Sequence, residues 1–494
     1  MNIWEVGPTH VDFNVTNGCN LACNHCHSSS GDKLSDELST AECIEAITQL
    51  HRLGVMRLSI AGGEPFLRRD ILKILEHACG LPGWQVNVIT NGMFFARDER
   101  VQELRARCPG LNVNVSIEGS GASQFHVLRK QINRPHGDPE PMFRRITDGV
   151  RRLSHHGVST SVNMTLCAPT LNDCLPTYDY AINELGASSL VGIKFFPGGY
   201  GKSFRDLYDV PYPQWSEFFT GLTRRKLDGE IPGMQVSVPS AWEFYLPLIE
   251  AGIDIHVAER AWGYSSPLRE ARYRNLYSVG DTCGNAELAL AGDGTVYPSV
   301  LFVGAEGSEC GNIRLQSMRD IWLNSPTLIR IRSIGLHDLN AHCGDCSFSS
   351  VCGGGSRARA FAETGSLIGI DAACPLSSPR DLPKIDNAAP EPKRKYSTQP
   401  EMHVIGQGNR AIRVFLTEDM CQLRTNGHII HCGSEESDVL RRMVSAPTLS
   451  TRVQDTSGAQ SNSGEGALIR PLLLRLSDLG VSEETLALLR VSGS

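Results

Sequence analysis

Three cysteines, Cys19, Cys23 and Cys26, fall within eight positions of the stretch FNVTNGCNLACNHCHSSSG. Four more gather far downstream as Cys343-Gly-Asp-Cys346, Cys352 and Cys374. Thiolates are soft ligands, suited to zinc or to iron–sulfur. The first set reads CxxxCxxC and has no fourth cysteine before Cys43, which falls inside a helical pattern. Three thiolates on one loop can hold three irons of a [4Fe–4S] cube and leave the fourth iron open to a ligand. A zinc site completed by His25 or His27 is the other chemistry this loop allows. The downstream set has four thiolates, enough for a closed cluster or for structural zinc.

The rest of the composition favours metal over disulfides. The chain has 494 residues, 16 of them cysteine, with 20% charged and 41% hydrophobic residues. No apolar run reaches the ~18 residues that would span a bilayer. The start, MNIWEVGPTHVDF, lacks the basic-then-apolar pattern of a signal peptide. A cytoplasmic, reducing location is therefore expected, where clustered cysteines bind metal or react. Cys43, Cys79, Cys108, Cys167 and Cys174 are scattered and read as small buried hydrophobes. A net charge of −7 gives no basic face for nucleic acid.

What must position the first loop is an alternation of strands and helices over the first 230 residues. Six strand patterns begin at HVDFNVT and end at SLVGIKFFP (189–197), with helical patterns between them. The helix over 40–53 has a capping start at Ser39. Such alternation predicts a parallel sheet with right-handed crossovers, an α/β fold of the partial (β/α)6 TIM-type barrel kind. In these folds the chemistry lies at the C-terminal ends of the strands. NGC, GGEP, TNG and IEG follow the first four strands in turn. Residues 231–280 read as a mixed connector. A hairpin over 287–301 turns at Gly292-Asp293-Gly294, and 314–335 reads as helix. Residues 379–409 form a linker rich in Pro, Ser and charge. Beyond it, 410–494 reads as a small α+β domain: strands AIRVFLT, CQLRT and HIIHC with an Asn426-Gly427 turn, then helices over 435–444 and 469–490.

CxxxCxxC, GGEP, TNG and Ser-x-acid-Gly, in order and each at a strand mouth, resemble the radical S-adenosylmethionine (SAM) superfamily over roughly residues 8–230. The resemblance implies that Cys19, Cys23 and Cys26 ligate a [4Fe–4S] cluster whose open iron chelates SAM. It places Gly62, Gly63 and Glu64 at the SAM amino group, Ser116 and Glu118 at the ribose, His25 near the adenine and Asn163 near the methionine moiety. It further implies reductive cleavage of SAM to a 5′-deoxyadenosyl radical, fed by an external one-electron donor such as flavodoxin or ferredoxin.

The second cysteine set resembles the SPASM extension, an auxiliary-cluster module placed here over 281–378. Cys343, Cys346, Cys352 and Cys374 match one of its two cluster sites. At the other site Cys283 matches, but Ser299 and Ser356 stand where thiolates are expected, so one auxiliary cluster is implied. Cys283 and Cys310 are left as structural residues, a partial site or a catalytic thiol. The element order of the last domain is similar to the winged-helix peptide-recognition domains of ribosomal-peptide maturases. The function implied is hydrogen abstraction from a precursor peptide, installing a cross-link or other modification. The alternative is dehydrogenation or epimerisation of a sugar or aminocyclitol.

Overall fold

The computed structural model describes residues 6–130, 136–264, 281–339, most of 343–376, and then 400–406, 411–417, 421–425 and 428–445, with a few isolated positions besides. Strands β1 (His10–Asn14), β2 (Arg57–Ala61), β3 (Gln85–Thr90), β4 (Asn112–Ser116), β5 (Ser159–Leu166), β6 (Ser189–Lys194) and β7 (Met234–Ser237) run parallel, each paired to the next. Helix α1 (Thr40–Leu53) opens with a reciprocal cap between Ser39 and Glu42 and closes at Gly54, whose φ of 99° suits glycine.

Strand alternation divides this sheet into two unlike faces. Val11, Phe13, Leu58, Ile60, Val86, Val88, Val113, Val115, Val162 and Met164 are buried in one apolar core with the helices. Their neighbours Asp12, Asn14, Ser59, Asn87, Asn114, Ser116 and Asn163 take the opposite, inner face. Polar side chains pair across it: Asn112 Nδ2 donates to Asn87 Oδ1 at 3.1 Å, and the Ser189 hydroxyl donates to Ser161 Oγ at 2.8 Å. The barrel interior is thus hydrophilic rather than filled with branched apolar side chains.

The sheet is larger than the six strands expected. Strand β7 and the helices Ala241–Glu250 and Ile255–Trp262 occupy what reads as a connector. Strand β7 has only four residues, too few for alternation to show. Ala241–Glu250 is apolar on nearly every side and carries Pro247, so it has no helical stripe to detect. The expected hairpin forms as β8 (Glu287–Leu290) and β9 (Thr295–Tyr297), and β8 lies parallel to β1. With β10 (Gly311–Asn312) it extends the barrel sheet to ten strands. The helical stretch over 314–335 breaks at Ser325-Pro326 into Met318–Asn324 and Pro326–Ser333, because proline has no N–H to continue the ladder.

A second, antiparallel sheet holds β11 (Glu401–Ile405), β12 (Ile412–Leu416), β13 (Cys421–Thr425) and β14 (His428–His431) in sequence order. Strand β11 lies within the stretch read as linker, where Pro and charge mask a five-residue strand. Helix Ser434–Ser445 follows, giving strands first and helix after. The Asn426-Gly427 turn and most of the helix expected over 469–490 lie outside the described residues. One face of this sheet rests on the first. Arg413 Nη2 donates to the Val55 carbonyl at 2.7 Å, and Arg424 donates to the carbonyls of Gly54 at 2.5 Å and Gly7 at 3.0 Å. These carbonyls include the C-terminal end of α1, where the helix dipole favours cations. They lie at the start of β1 and β2, the end of the barrel opposite the NGC and GGE loops. Among the described residues, no helix is long and apolar enough to cross a membrane.

Candidate active site and the auxiliary cysteine cavity

The loop that leaves β1 is pinned before its first cysteine. Gly63 N–H donates to the Thr16 carbonyl at 2.7 Å and Glu64 N–H to the Gly18 carbonyl at 2.8 Å. This contact requires the two glycines. A Cβ on Gly62 would fall 2.4 Å from Thr16 O, and one on Gly63 would fall 2.2 Å from Gly18 O. Inside the cysteine loop, Asn20 Oδ1 accepts from Asn91 Nδ2 at 2.8 Å, tying it to the TNG turn after β3. Ala22 and Asn24 N–H groups donate to the carbonyls of Lys130 and Leu128, and the Tyr200 N–H donates to the Cys26 carbonyl. The loop is therefore held from four sides.

The carboxylate of Glu64 is buried. Oε1 accepts from Phe66 N–H at 3.1 Å and the Thr90 hydroxyl at 2.8 Å, and Oε2 from Asn91 N–H at 2.7 Å. Burial raises its pKa, against those three hydrogen bonds. Glu118 is also buried. Its Oε1 receives both Arg129 Nε (2.8 Å) and Nη2 (2.7 Å), and its Oε2 accepts from Thr165 N–H at 2.6 Å. Burial opposes ionisation of Glu118, but Arg129 and then His25 hold its pKa below the ordinary value. Each carboxylate keeps one lone-pair direction on Oε2 for a further donor.

Other sequence-predicted residues converge on the same mouth. Ser116 lies opposite Asn163 in the β4–β5 register. His25 Nε2 lies 3.5 Å from Glu118 Oε1. Burial pushes the His25 pKa down to about 4, so its ring is neutral near pH 7. His25 Nδ1, His27 Nε2 and Asn163 Oδ1 are buried without a partner in the chain. Buried polar atoms are nearly always hydrogen-bonded, so three orphans around one mouth mark a place for a polar ligand. Burial also raises the Cys19 thiol and pushes the Cys23 thiol up to about 12, while Arg129 opposes both shifts. Thiolates there need nearby positive charge, which iron supplies.

The four downstream cysteines come together as well. Cys343, Cys346, Cys352 and Cys374 line one cavity with Trp242, Phe348, Ile370 and Asp371. Among the described residues no three His, Cys, Asp or Glu side chains converge tightly enough for one metal ion. A cluster does not need them to, because its thiolates bind different irons. The remaining SPASM-like positions are not arranged this way. Ser356 caps helix Arg357–Thr364, its hydroxyl accepting from Arg359 N–H. Ser299 is buried with an orphaned hydroxyl, and Cys283 is buried with its thiol pKa raised.

Residues 13–179 match the radical SAM superfamily, and residues 282–347 match the SPASM iron–sulfur cluster-binding domain. The chain is a radical SAM enzyme with a SPASM domain. Its cofactors are accordingly a [4Fe–4S] cluster, SAM and auxiliary iron–sulfur. It is 27% identical to an AdoMet-dependent heme synthase of Methanosarcina barkeri, across 74% of this chain and 96% of that one. It is 25% identical to a PqqA peptide cyclase of Methylocella silvestris, across 76% and 90%. In fold it is similar to Streptococcus suis SuiB bound to precursor peptide SuiA, with 16% identity and a TM-score of 0.58 over 74% of this chain and 76% of that one.

The radical SAM domain also holds residues that motif reading misses. Arg129, the cation facing Cys19, Cys23 and Glu118, sits after a short helix in no motif, and nothing local flags it. Asn20 lies at a variable position of CxxxCxxC. A buried polar chain links this domain to the SPASM cavity. Lys194 Nζ contacts Glu243 Oε1 at 2.5 Å, Arg359 grips both Glu243 oxygens at 3.1 Å, and Arg359 Nε lies 3.0 Å from Asp371. Glu243 lies on the helix hidden in the connector, so its signal was lost with that helix.

Proposed function

We propose that this radical SAM enzyme acts on a peptide, taking a hydrogen atom from a ribosomally made precursor and thereby installing a cross-link or other modification. In this reading Cys19, Cys23 and Cys26 hold the SAM-binding cluster and Cys343, Cys346, Cys352 and Cys374 a single auxiliary one. When bound, the cluster and SAM supply one-electron reduction and a 5′-deoxyadenosyl radical. The residues of the chain bind and orient. Gly62 and Gly63 let the backbone approach the SAM amino group, and Glu64, pre-set by Thr90 and Asn91, offers its free lone pair there. Glu118, fixed by Arg129, offers its own to the ribose. Ser116, the orphaned Asn163 Oδ1 and the neutral His25 complete the polar lining. The electron comes from an external donor of the flavodoxin or ferredoxin class.

The observation that carries the peptide reading is the second sheet. Strands β11 and β14 form its two ends, and among the described residues no further strand pairs with either. A sheet edge accepts an extended peptide by backbone hydrogen bonds. Similarity to a PqqA peptide cyclase over 76% of the chain supports the same substrate class. The geometry adds a constraint. The second sheet sits at the far end of strands that are ~17 Å tall at five residues. A peptide anchored on it needs at least about five extended residues before its reacting position can reach the mouth.

The test is turnover, by anaerobically reconstituted enzyme, of candidate precursor peptides drawn from short reading frames near this gene. The expected result is 5′-deoxyadenosine formation stimulated by the peptide, with a mass change in the peptide that needs at least that spacing from the anchor. Stimulation by sugars and not by the peptide would overturn the reading.

A further inference from the structure

Arg357 is fully buried. Its Nη1 donates to the carbonyls of Leu367 and Gly369, both at 2.9 Å, and its Nη2 donates to the Gly354 carbonyl. Its Nε has no partner. Among the described residues, no carboxylate lies within ion-pair distance of the guanidinium. Its neighbour in sequence, Arg359, is equally buried but paired with Glu243 and Asp371. A buried guanidinium without an anion is costly, and proteins rarely keep one.

The missing anion is beside it. Its Nη2 holds the carbonyl of Gly354, and Gly354 lines the four-cysteine cavity. Four thiolates on an oxidised [4Fe–4S] core leave a net double negative charge, and reduction adds another. On the side of Cys283, Ser299 and Ser356 supply no thiolate. The four-cysteine cavity is the anion site the structure offers.

We propose that Arg357 is the counter-cation of the auxiliary cluster and that its charge raises the reduction potential of that cluster. This rests on Cys343, Cys346, Cys352 and Cys374 being the cluster ligands. The loop before it carries the carbonyl that Arg357 holds. Gly353, Gly354 and Gly355 hold φ of 66°, 93° and 77°, a left-handed run suited to glycine. That run shapes the cavity wall, which Gly354 and Gly355 line together with Cys352. Nearby positive charge favours the more reduced, more negative cluster.

The experiment uses the full chain with Cys19, Cys23 and Cys26 all replaced by alanine, so that auxiliary iron is read alone. In that background the wild-type Arg357, Arg357→Lys and Arg357→Met forms are compared by iron content and by potentiometric titration followed by electron paramagnetic resonance. The expected result is about four irons per chain. Arg357→Met should move the potential negative by about 59 mV, a tenfold fall in the reduced-to-oxidised ratio at fixed potential. Arg357→Lys should stay near wild type. Equal potentials in all three forms overturn the inference. A background that binds no iron overturns the four-cysteine reading, and the inference with it. If Arg357→Met holds no iron, thermal midpoints of the metal-free forms decide. A metal-free Arg357→Met as stable as metal-free wild type supports the role, and a lower midpoint already in the metal-free form reduces Arg357 to a structural residue.

Discussion

The cysteine loop at the barrel mouth and the cysteine cavity of the SPASM domain each place a buried arginine near thiols, but in opposite electrical settings. At the mouth, Arg129 is neutralised by Glu118, which takes both its Nε and its Nη2. Behind the cavity wall, the Arg357 guanidinium donates to the carbonyls of Leu367, Gly369 and Gly354. The mouth has three cysteines and several orphaned polar atoms, so it is built around a ligand that arrives and leaves. The cavity has four cysteines and a largely apolar wall, so it is built around a group that stays. An exchangeable cosubstrate brings its own charges, and the protein must present a locally balanced site. A permanent anion can serve as half of an ion pair.

The largest effect expected is from Cys23→Ala. It should abolish 5′-deoxyadenosine formation and remove about four irons, leaving the auxiliary iron in place. Loss of all iron would show that the two regions are not independent. Glu118→Gln comes next, because it strands Arg129 in the interior. Breaking a buried pair in this way costs roughly 3–5 kcal/mol, measurable by denaturant unfolding of the metal-free protein. Equal stability would mean that the mouth does not need local neutrality. Gly63→Ala forces a Cβ to 2.2 Å from the Gly18 carbonyl. Overpacking of this kind costs on the order of 1–3 kcal/mol, and SAM binding should weaken more than stability does, because the GGE and cysteine loops must separate. Unchanged SAM affinity by calorimetry would refute that coupling.

The smallest effect is acid dependence. Glu118 has a folded pKa below its ordinary 4.5. Its contribution is therefore fully present above pH 4.5 and is lost as pH falls below that value through the folded pKa. Thermal midpoints of the metal-free protein should fall across this acid window in wild type and fall less in Glu118→Gln. Identical slopes would show that Glu118 is not the group responsible.

Much of the mouth was legible because its signals are local. CxxxCxxC, GGE and TNG are short, and each follows a strand whose alternation is visible. The cap at Ser39 and the hairpin turn near Gly294 are likewise set by neighbouring residues. Strand β7, strand β11 and helix Ala241–Glu250 were not legible. The first two are too short to show a period, and the helix is buried all round, so it has no polar face to contrast with an apolar one.

The sequence by itself determined the chemistry available: thiolates in sets of three and four, glycines where backbones must meet, and serines where two thiolates are missing. Those depend on residue type and spacing along a few turns of chain. Only the tertiary structure decided which charges are balanced. Glu118 finds Arg129 across 11 positions, Glu243 finds Arg359 across 116, and the second sheet sets its arginines against carbonyls more than 350 positions away. Electrostatic pairing is a matter of distance in space and of exclusion from water, and neither is written in the order of the residues.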